Sequence, residues 1–168
     1  MAKDKEIKTN AMRLLDKLGL PYAVKSADIG SFESGIQAAD LEGMPHDRAI
    51  KTLVAEGKSR NYHVFMIPIE DELDLKKAAR AAGEKSVSLI PVKDITKVTG
   101  YVRGGVSPLG MKKVYPTYLE EKAARFDEIY VSAGKIGVSV CLSPADLMRA
   151  VPASAADLCA CVNRDGSV

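Results

Sequence analysis

Apolar positions follow a helical spacing in some stretches of the chain and a strand spacing in others, with turn residues between them. Ala11, Leu14, Leu15 and Leu18 fall on one face of a 3.6-residue repeat. Thr9 stands where that helix needs a cap and Gly19 where it must stop. After Pro21, residues 22–27 read as extended chain, 28–35 as a polar loop with glycines, and 36–41 as a short helix ended by Gly43. Two apolar, β-branched runs, 49–55 and 62–69, flank Gly57-Lys58-Ser59-Arg60-Asn61 and predict a hairpin. Asp74 caps a helix of strong formers over 75–82, closed by Gly83. Residues 86–90 read as a strand leading into a helix that Pro91 opens at its first position.

Residues 100–110 carry glycines at 100, 104, 105 and 110, too irregular a stretch for helix or strand and long enough to be a functional loop. Strands at 128–132 and 136–142 follow, joined by a turn containing Gly134-Lys135. In Ser143-Pro144-Ala145-Asp146 a cap, a helix-opening proline and a capping-box carboxylate stand in order, so a helix runs to about Ala150. The tail beyond about residue 165 is expected to be loose. With no internal repeat or linker, hairpins mixed with helices imply one α+β domain over residues 1–168, built around a mixed sheet.

Composition narrows the class. With 46% hydrophobic and 27% charged residues, the chain of 168 residues and 18.0 kDa matches a folded domain and excludes disorder or a fibrous repeat. No stretch approaches the roughly 20 apolar residues of a membrane helix, and the charged start is unlike a signal peptide, so a cytoplasmic location is expected. Cys141, Cys159 and Cys161 are odd in number and lack a neighbouring histidine, which fits reduced thiols. The net charge of +2 is mild, but residues 76–113 hold nine bases and two acids, a local +7 against −5 elsewhere. Such a segment either attracts phosphates or is a set of solvated helix lysines.

Signatures built on a base or a metal are scarce. His46 lies in a loop and His63 in an alternating strand, with no HxxxH, HExxH or Cys-His spacing, so each reads as a surface or core residue. Cys141 sits in an apolar strand, where a free cysteine behaves as a small hydrophobe. The run from Gly105 to Lys112 evokes a phosphate loop, but Met111 stands where the lysine-hydroxyl pair is needed. Gly134-Lys135-Ile136-Gly137 has the spacing of an RNA-clamping GxxG loop, yet lies between strands where that fold needs helices. The pattern therefore implies neither metal nor cofactor.

Two features remain. Lys51 shares a strand face with Ala49 and Leu53, so its ammonium either snorkels from an edge or enters a pocket. The glycine loop can bring backbone amides close to a carbonyl oxygen or a phosphate.

Taken together, Lys51-Thr52-Leu53-Val54, Leu73-Asp74-Leu75-Lys76-Lys77, Thr99-Gly100-Tyr101 with Gly104-Gly105-Val106-Ser107-Pro108-Leu109-Gly110, and Tyr130-Val131-Ser132-Ala133-Gly134-Lys135 resemble the YbaK-type aminoacyl-tRNA deacylases. These relatives include the editing domain inserted into bacterial prolyl-tRNA synthetases, and the free-standing cysteinyl-tRNA(Pro) deacylase branch is the nearest in pattern. The resemblance implies a mixed, partly closed sheet with flanking helices and a carboxylic ester hydrolase acting on mischarged aminoacyl-tRNA. It implies that Lys51 holds the terminal ribose or phosphate, that backbone at Gly104 lines the ester, and that Ser132 adds a polar contact. Around them it assigns Thr52, Tyr101, Gly105, Ser107 and Gly134 to substrate binding, while the +7 charge of the 76–113 segment points to Lys97, Arg103, Lys112 and Lys113 as the tRNA contacts. In this branch the substrate's own thiol attacks the ester, so no protein nucleophile is required. Prolyl-tRNA synthetase is a candidate partner. The chain departs from the branch at Lys25 and Ala27, where a His-x-Tyr segment is common, and at Ile136, where many relatives have arginine. The alternative these departures raise is a noncatalytic module that binds an acceptor end or a synthetase.

Overall fold

Phe65 and Met66 are neighbours in the central strand yet bury against different helices, and that alternation organises the domain. The computed structural model describes residues 8–30 and 33–160. Expectations about residues 1–7, Cys161 and the tail beyond about 165 lie outside the described residues. Strands β2 (Ile50–Gly57) and β3 (Tyr62–Pro68) pair antiparallel from Ile50 opposite Pro68 to Glu56 opposite Tyr62. Ile50, Val54, Val64 and Met66 join one cluster, with Leu15 of helix α1 (Asn10–Leu18) and Leu147 of α5 (Pro144–Ala150). Ala55, Phe65 and Ile67 join a second, under Ala78 and Ala79 of α3 (Leu75–Ala82). Because β3 is covered on both faces, its core residues form a continuous apolar run. Each such fully buried side chain stabilises the fold by about 1.5–3 kcal/mol.

A five-stranded sheet runs β4 (Val87–Leu89), β2, β3, β5 (Thr117–Glu120), β8 (Ala153–Ala156), with β5 parallel to both of its neighbours. A three-stranded antiparallel sheet runs β1 (Ala23–Ser26), β7 (Val138–Leu142), β6 (Ile129–Lys135). The two meet at a parallel bridge between Ala49 and Tyr130, where the Tyr130 N–H donates to the Arg48 carbonyl at 2.9 Å. The α+β class with a mixed, partly closed sheet follows. On the edge of β2 away from β3, β4 pairs only with residues 55–57 and β6 arrives only at Ala49. The stretch between these attachments is open, and α2 (Gly35–Glu42) and α4 (Ile95–Thr99) flank it.

Local signals set most boundaries. Thr9, Asp74 and Ser143 accept backbone N–H groups at the starts of α1, α3 and α5. Three expectations need correction. Strands β5 and β8 were not predicted, because each is four residues long and paired in parallel across long connections. The turn between β6 and β7 falls at Ile136-Gly137, while Gly134 sits in a bulge of β6, where the register shifts between Ser132 and Lys135. Pro91 precedes a 3₁₀ turn, Val92–Asp94, rather than opening the helix itself. No described helix is long and apolar enough to cross a membrane.

Candidate active site

A cavity of about 550 Å³ occupies the open edge of β2. Its walls come from β2, from α2 and the residues before it, from β6 and β7, and from the glycine loop at Arg103, Gly104 and Val106. The volume lies within the usual range for small-ligand sites. Lys51 and Thr52 both line it, although they point to opposite faces of the strand, because an open edge is reachable from either face. Lys51 is half-buried. Burial lowers its pKa, and the carboxylates of Glu72 and Asp71 oppose that shift. Among the described residues no hydrogen bond or ion pair holds its ammonium. The Thr52 hydroxyl is buried without a hydrogen-bond partner.

Across the cavity, Ser132 of β6 stands directly opposite Ser139 of β7, and both line the wall. Ser132 Oγ accepts the Gly134 N–H at 3.2 Å, which leaves its own proton available to a ligand. The glycine loop brings Gly104 to the wall in a left-handed conformation, φ +88°, so a side chain there strains the backbone as well as filling space.

Four residues assigned to substrate lie behind this wall and frame it. The Tyr101 hydroxyl donates to the Leu109 carbonyl at 2.7 Å and to the Gly110 carbonyl at 3.2 Å. Ser107, fully buried, accepts the Leu109 N–H. A Cβ on Gly105 would come within 3.1 Å of the Ile136 nitrogen, and one on Gly134, at φ +94°, within 2.6 Å of the Tyr101 ring. These close approaches seat the loop on the β6–β7 hairpin and so fix Gly104.

Of the assigned tRNA contacts, only Arg103 is among the residues lining the cavity, where the unassigned Lys135 of β6 and the exposed Glu33 also stand. Lys112 donates to the Lys97 carbonyl at 3.3 Å, which brings two of the remaining cations together, and Lys113 is exposed beside them. The basic segment is nevertheless divided. Lys76, Lys77 and Arg80 belong to α3, over the second cluster, and Lys77 pairs with Asp157.

Among the described residues neither histidine nor cysteine lines the cavity. His46 bridges Asp40 at 2.6 Å and Glu70 at 3.4 Å near the surface, and the Asp40 contact raises its pKa. His63 is buried and its Nε2 meets Glu84 at 2.8 Å, a link between the hairpin and the turn after α3. Cys141 and Cys159 are buried, and burial raises the pKa of both thiols.

Sequence reasoning missed Glu42 and Ser139. Glu42 closes α2, lines the cavity and is 8% exposed. The available signal was a carboxylate in the last helical turn, where the helix dipole disfavours it.

The chain is an α+β domain whose partly closed sheet opens a largely apolar cavity beside a glycine loop. In fold it matches the crystal structure of a proposed trans-editing enzyme for prolyl-tRNA synthetase, with TM-score 0.77 over 93% of this chain and all of that one at 23% identity. The aminoacyl-tRNA editing domain model matches residues 33–150, and the chain belongs to that family. It is 45% identical over 148 residues to EbsC of Enterococcus faecalis, a proposed Cys-tRNA(Pro)/Cys-tRNA(Cys) deacylase, covering 86% of this chain and 89% of that protein. It is 30% identical over 157 residues to the multifunctional Ser/Thr-tRNA deacylase ProXp-y of Escherichia coli, covering 89% and 90% respectively.

Proposed function

We propose that this chain is a trans-editing hydrolase that removes wrongly attached amino acids from tRNA, with cysteinyl-tRNA(Pro) as its foremost substrate. The observation that carries the reading is a cavity of ligand size with Lys51, the Gly104 backbone and Ser132 on its wall and no cysteine or histidine among its lining residues. An aminoacyl ester is already activated, so placement and stabilisation of the developing oxyanion supply much of the acceleration. Lys51 takes the terminal phosphate or ribose, the Gly104 backbone faces the ester, and Ser132 offers a hydroxyl proton. For a cysteinyl ester the substrate sulfur attacks the carbonyl carbon, the carbon–oxygen bond to ribose breaks, and the thiol proton passes to the departing hydroxyl. The product is a cyclic thioester and free tRNA.

The cations around the cavity and near it, Arg103, Lys97, Lys112 and Lys113, meet the phosphates of the acceptor end. Few aromatic residues are present, three Phe, six Tyr and no Trp, so base stacking contributes little. Prolyl-tRNA synthetase is the partner that would hand over the substrate, in the cytoplasm.

Incubating the protein with tRNA(Pro) charged with cysteine, alanine or proline tests this. Release of cysteine faster than of the other two is the expected outcome. Slowed spontaneous hydrolysis of all three esters would instead mark a noncatalytic acceptor-end module, the reading that Ala27 and Ile136 favour.

A further inference from the structure

Among the described residues Glu42 is the one carboxylate buried in the cavity wall, and they leave it incompletely partnered. It is 8% exposed, its Oε1 has no hydrogen-bond partner, and Ser139 supplies its only hydrogen bond among the described residues. It also ends α2, directly before the Gly43 cap, where unsatisfied carbonyls make the field negative. Desolvation, an orphan acceptor and the helix dipole all disfavour a charge at this position, and among the described residues only the Ser139 hydrogen bond opposes them. The partner of Oε1 is therefore to be sought in the ligand.

Charge within the cavity comes from different elements. Lys51, Arg103 and Lys135 bring cations from β2, the glycine loop and β6, whereas Glu42 brings a carboxylate from α2. An amino acid esterified to a terminal ribose has a matching polarity, with phosphate toward the nucleic acid and an ammonium on the α-carbon. An ammonium carries three donors, enough for the orphan Oε1 and for the unpartnered Thr52 hydroxyl, which also lines the cavity. A neutral thiol or hydroxyl would leave the buried charge uncompensated.

Resting on the deacylase reading, we propose that Glu42 receives the α-ammonium of the aminoacyl ester and thereby fixes the direction in which the substrate enters, with Lys51 at its phosphate end. Burial raises the pKa of Glu42 and the Ser139 hydrogen bond opposes the rise; an arriving ammonium holds the charged form. Since every aminoacyl ester bears this ammonium, Glu42 orients the substrate, and choice among side chains falls to the apolar wall, which includes Ile36, Met44 and Val138.

The test compares cysteinyl-tRNA(Pro) with tRNA(Pro) carrying 3-mercaptopropionate, the same ester without its amine. Each enzymatic rate is divided by the spontaneous hydrolysis rate of that ester. Wild type is expected to prefer the amine-bearing ester roughly 10–100-fold in normalised kcat/KM, and Glu42→Gln to bring that preference near unity. Equal normalised rates in wild type, or an unchanged preference in a folded Glu42→Gln, overturn the assignment while leaving the deacylase reading intact. Wild-type protein that hydrolyses neither ester overturns both. Should Glu42→Gln fail to fold, the wild-type preference alone decides.

Discussion

Glu120 in β5 and Glu42 at the end of α2 are both buried glutamates, 1% and 8% exposed, yet they sit in regions built for different ends. Glu120 Oε1 accepts the N–H groups of Leu158 at 2.9 Å and Cys159 at 3.1 Å, and its Oε2 accepts that of Lys122 at 2.9 Å. Burial alone would push its pKa up, but these backbone donors together bring it below the ordinary value. Glu120 thus binds the strand edge to the segment that follows β8. Glu42 has one neighbour hydroxyl and an orphan oxygen, and its pKa is raised. The difference distinguishes a carboxylate whose partners are part of the fold from one whose partner must arrive.

The largest effect on stability is expected at Glu120. Glu120→Ala leaves three backbone donors unpaired, each costing about 1–3 kcal/mol when buried. A total near 3 kcal/mol corresponds to a fall of about 6–12 °C in Tm for a chain of this size. Because the folded pKa is lowered, the stabilisation is fully present above the unfolded value of about 4.3 and is lost as pH falls through the folded one. The gap in Tm between wild type and variant should therefore narrow in acid. A gap that stays constant would remove the charge from the explanation.

Glu42→Gln should act in the opposite direction and more weakly. Its raised folded pKa means that the charged form penalises the native state, a cost absent below the unfolded value and imposed as pH rises toward the folded one. Thermal melts should show the variant more stable than wild type at pH 8, by about 2–4 °C if the cost is about 1 kcal/mol, with the advantage fading toward pH 4. A less stable variant at pH 8 would erase the contrast with Glu120.

The same contrast explains what could be read from the chain in advance. Helices α1, α3 and α5 were legible because Thr9, Asp74 and Ser143 are local signals whose partners lie within three residues. Strands β5 and β8 were not, since Glu120 looks like a solvated residue until its donors, 38 and 39 positions away, are seen. At the site, Lys51, Gly104 and Ser132 carry motif signals that place them together, and the cavity gathers all three. The motif does not separate residues on the wall from those behind it. Tyr101 and Ser107 belong to the same glycine loop as Gly104, but their side chains face the loop's own carbonyls and amides. Glu42 escaped because α2 is short and has no distinct apolar face, and only the packing of Ser139 against it reveals a buried end.

The proposed deacylation rests most on Lys51, a half-buried cation on the cavity wall whose pKa is lowered by burial. Single-turnover release of cysteine from cysteinyl-tRNA(Pro), measured for wild type, Lys51→Ala and Lys51→Met beside their thermal midpoints, tests it most directly. Both variants should hydrolyse the ester at least about 100-fold more slowly, a loss of about 2.7 kcal/mol in transition-state stabilisation. Their midpoints should be unchanged or higher, because Lys51→Met keeps the apolar stem and both remove a desolvated charge. Stable variants that release cysteine at the wild-type rate would contradict the assignment of this cavity as the site of deacylation.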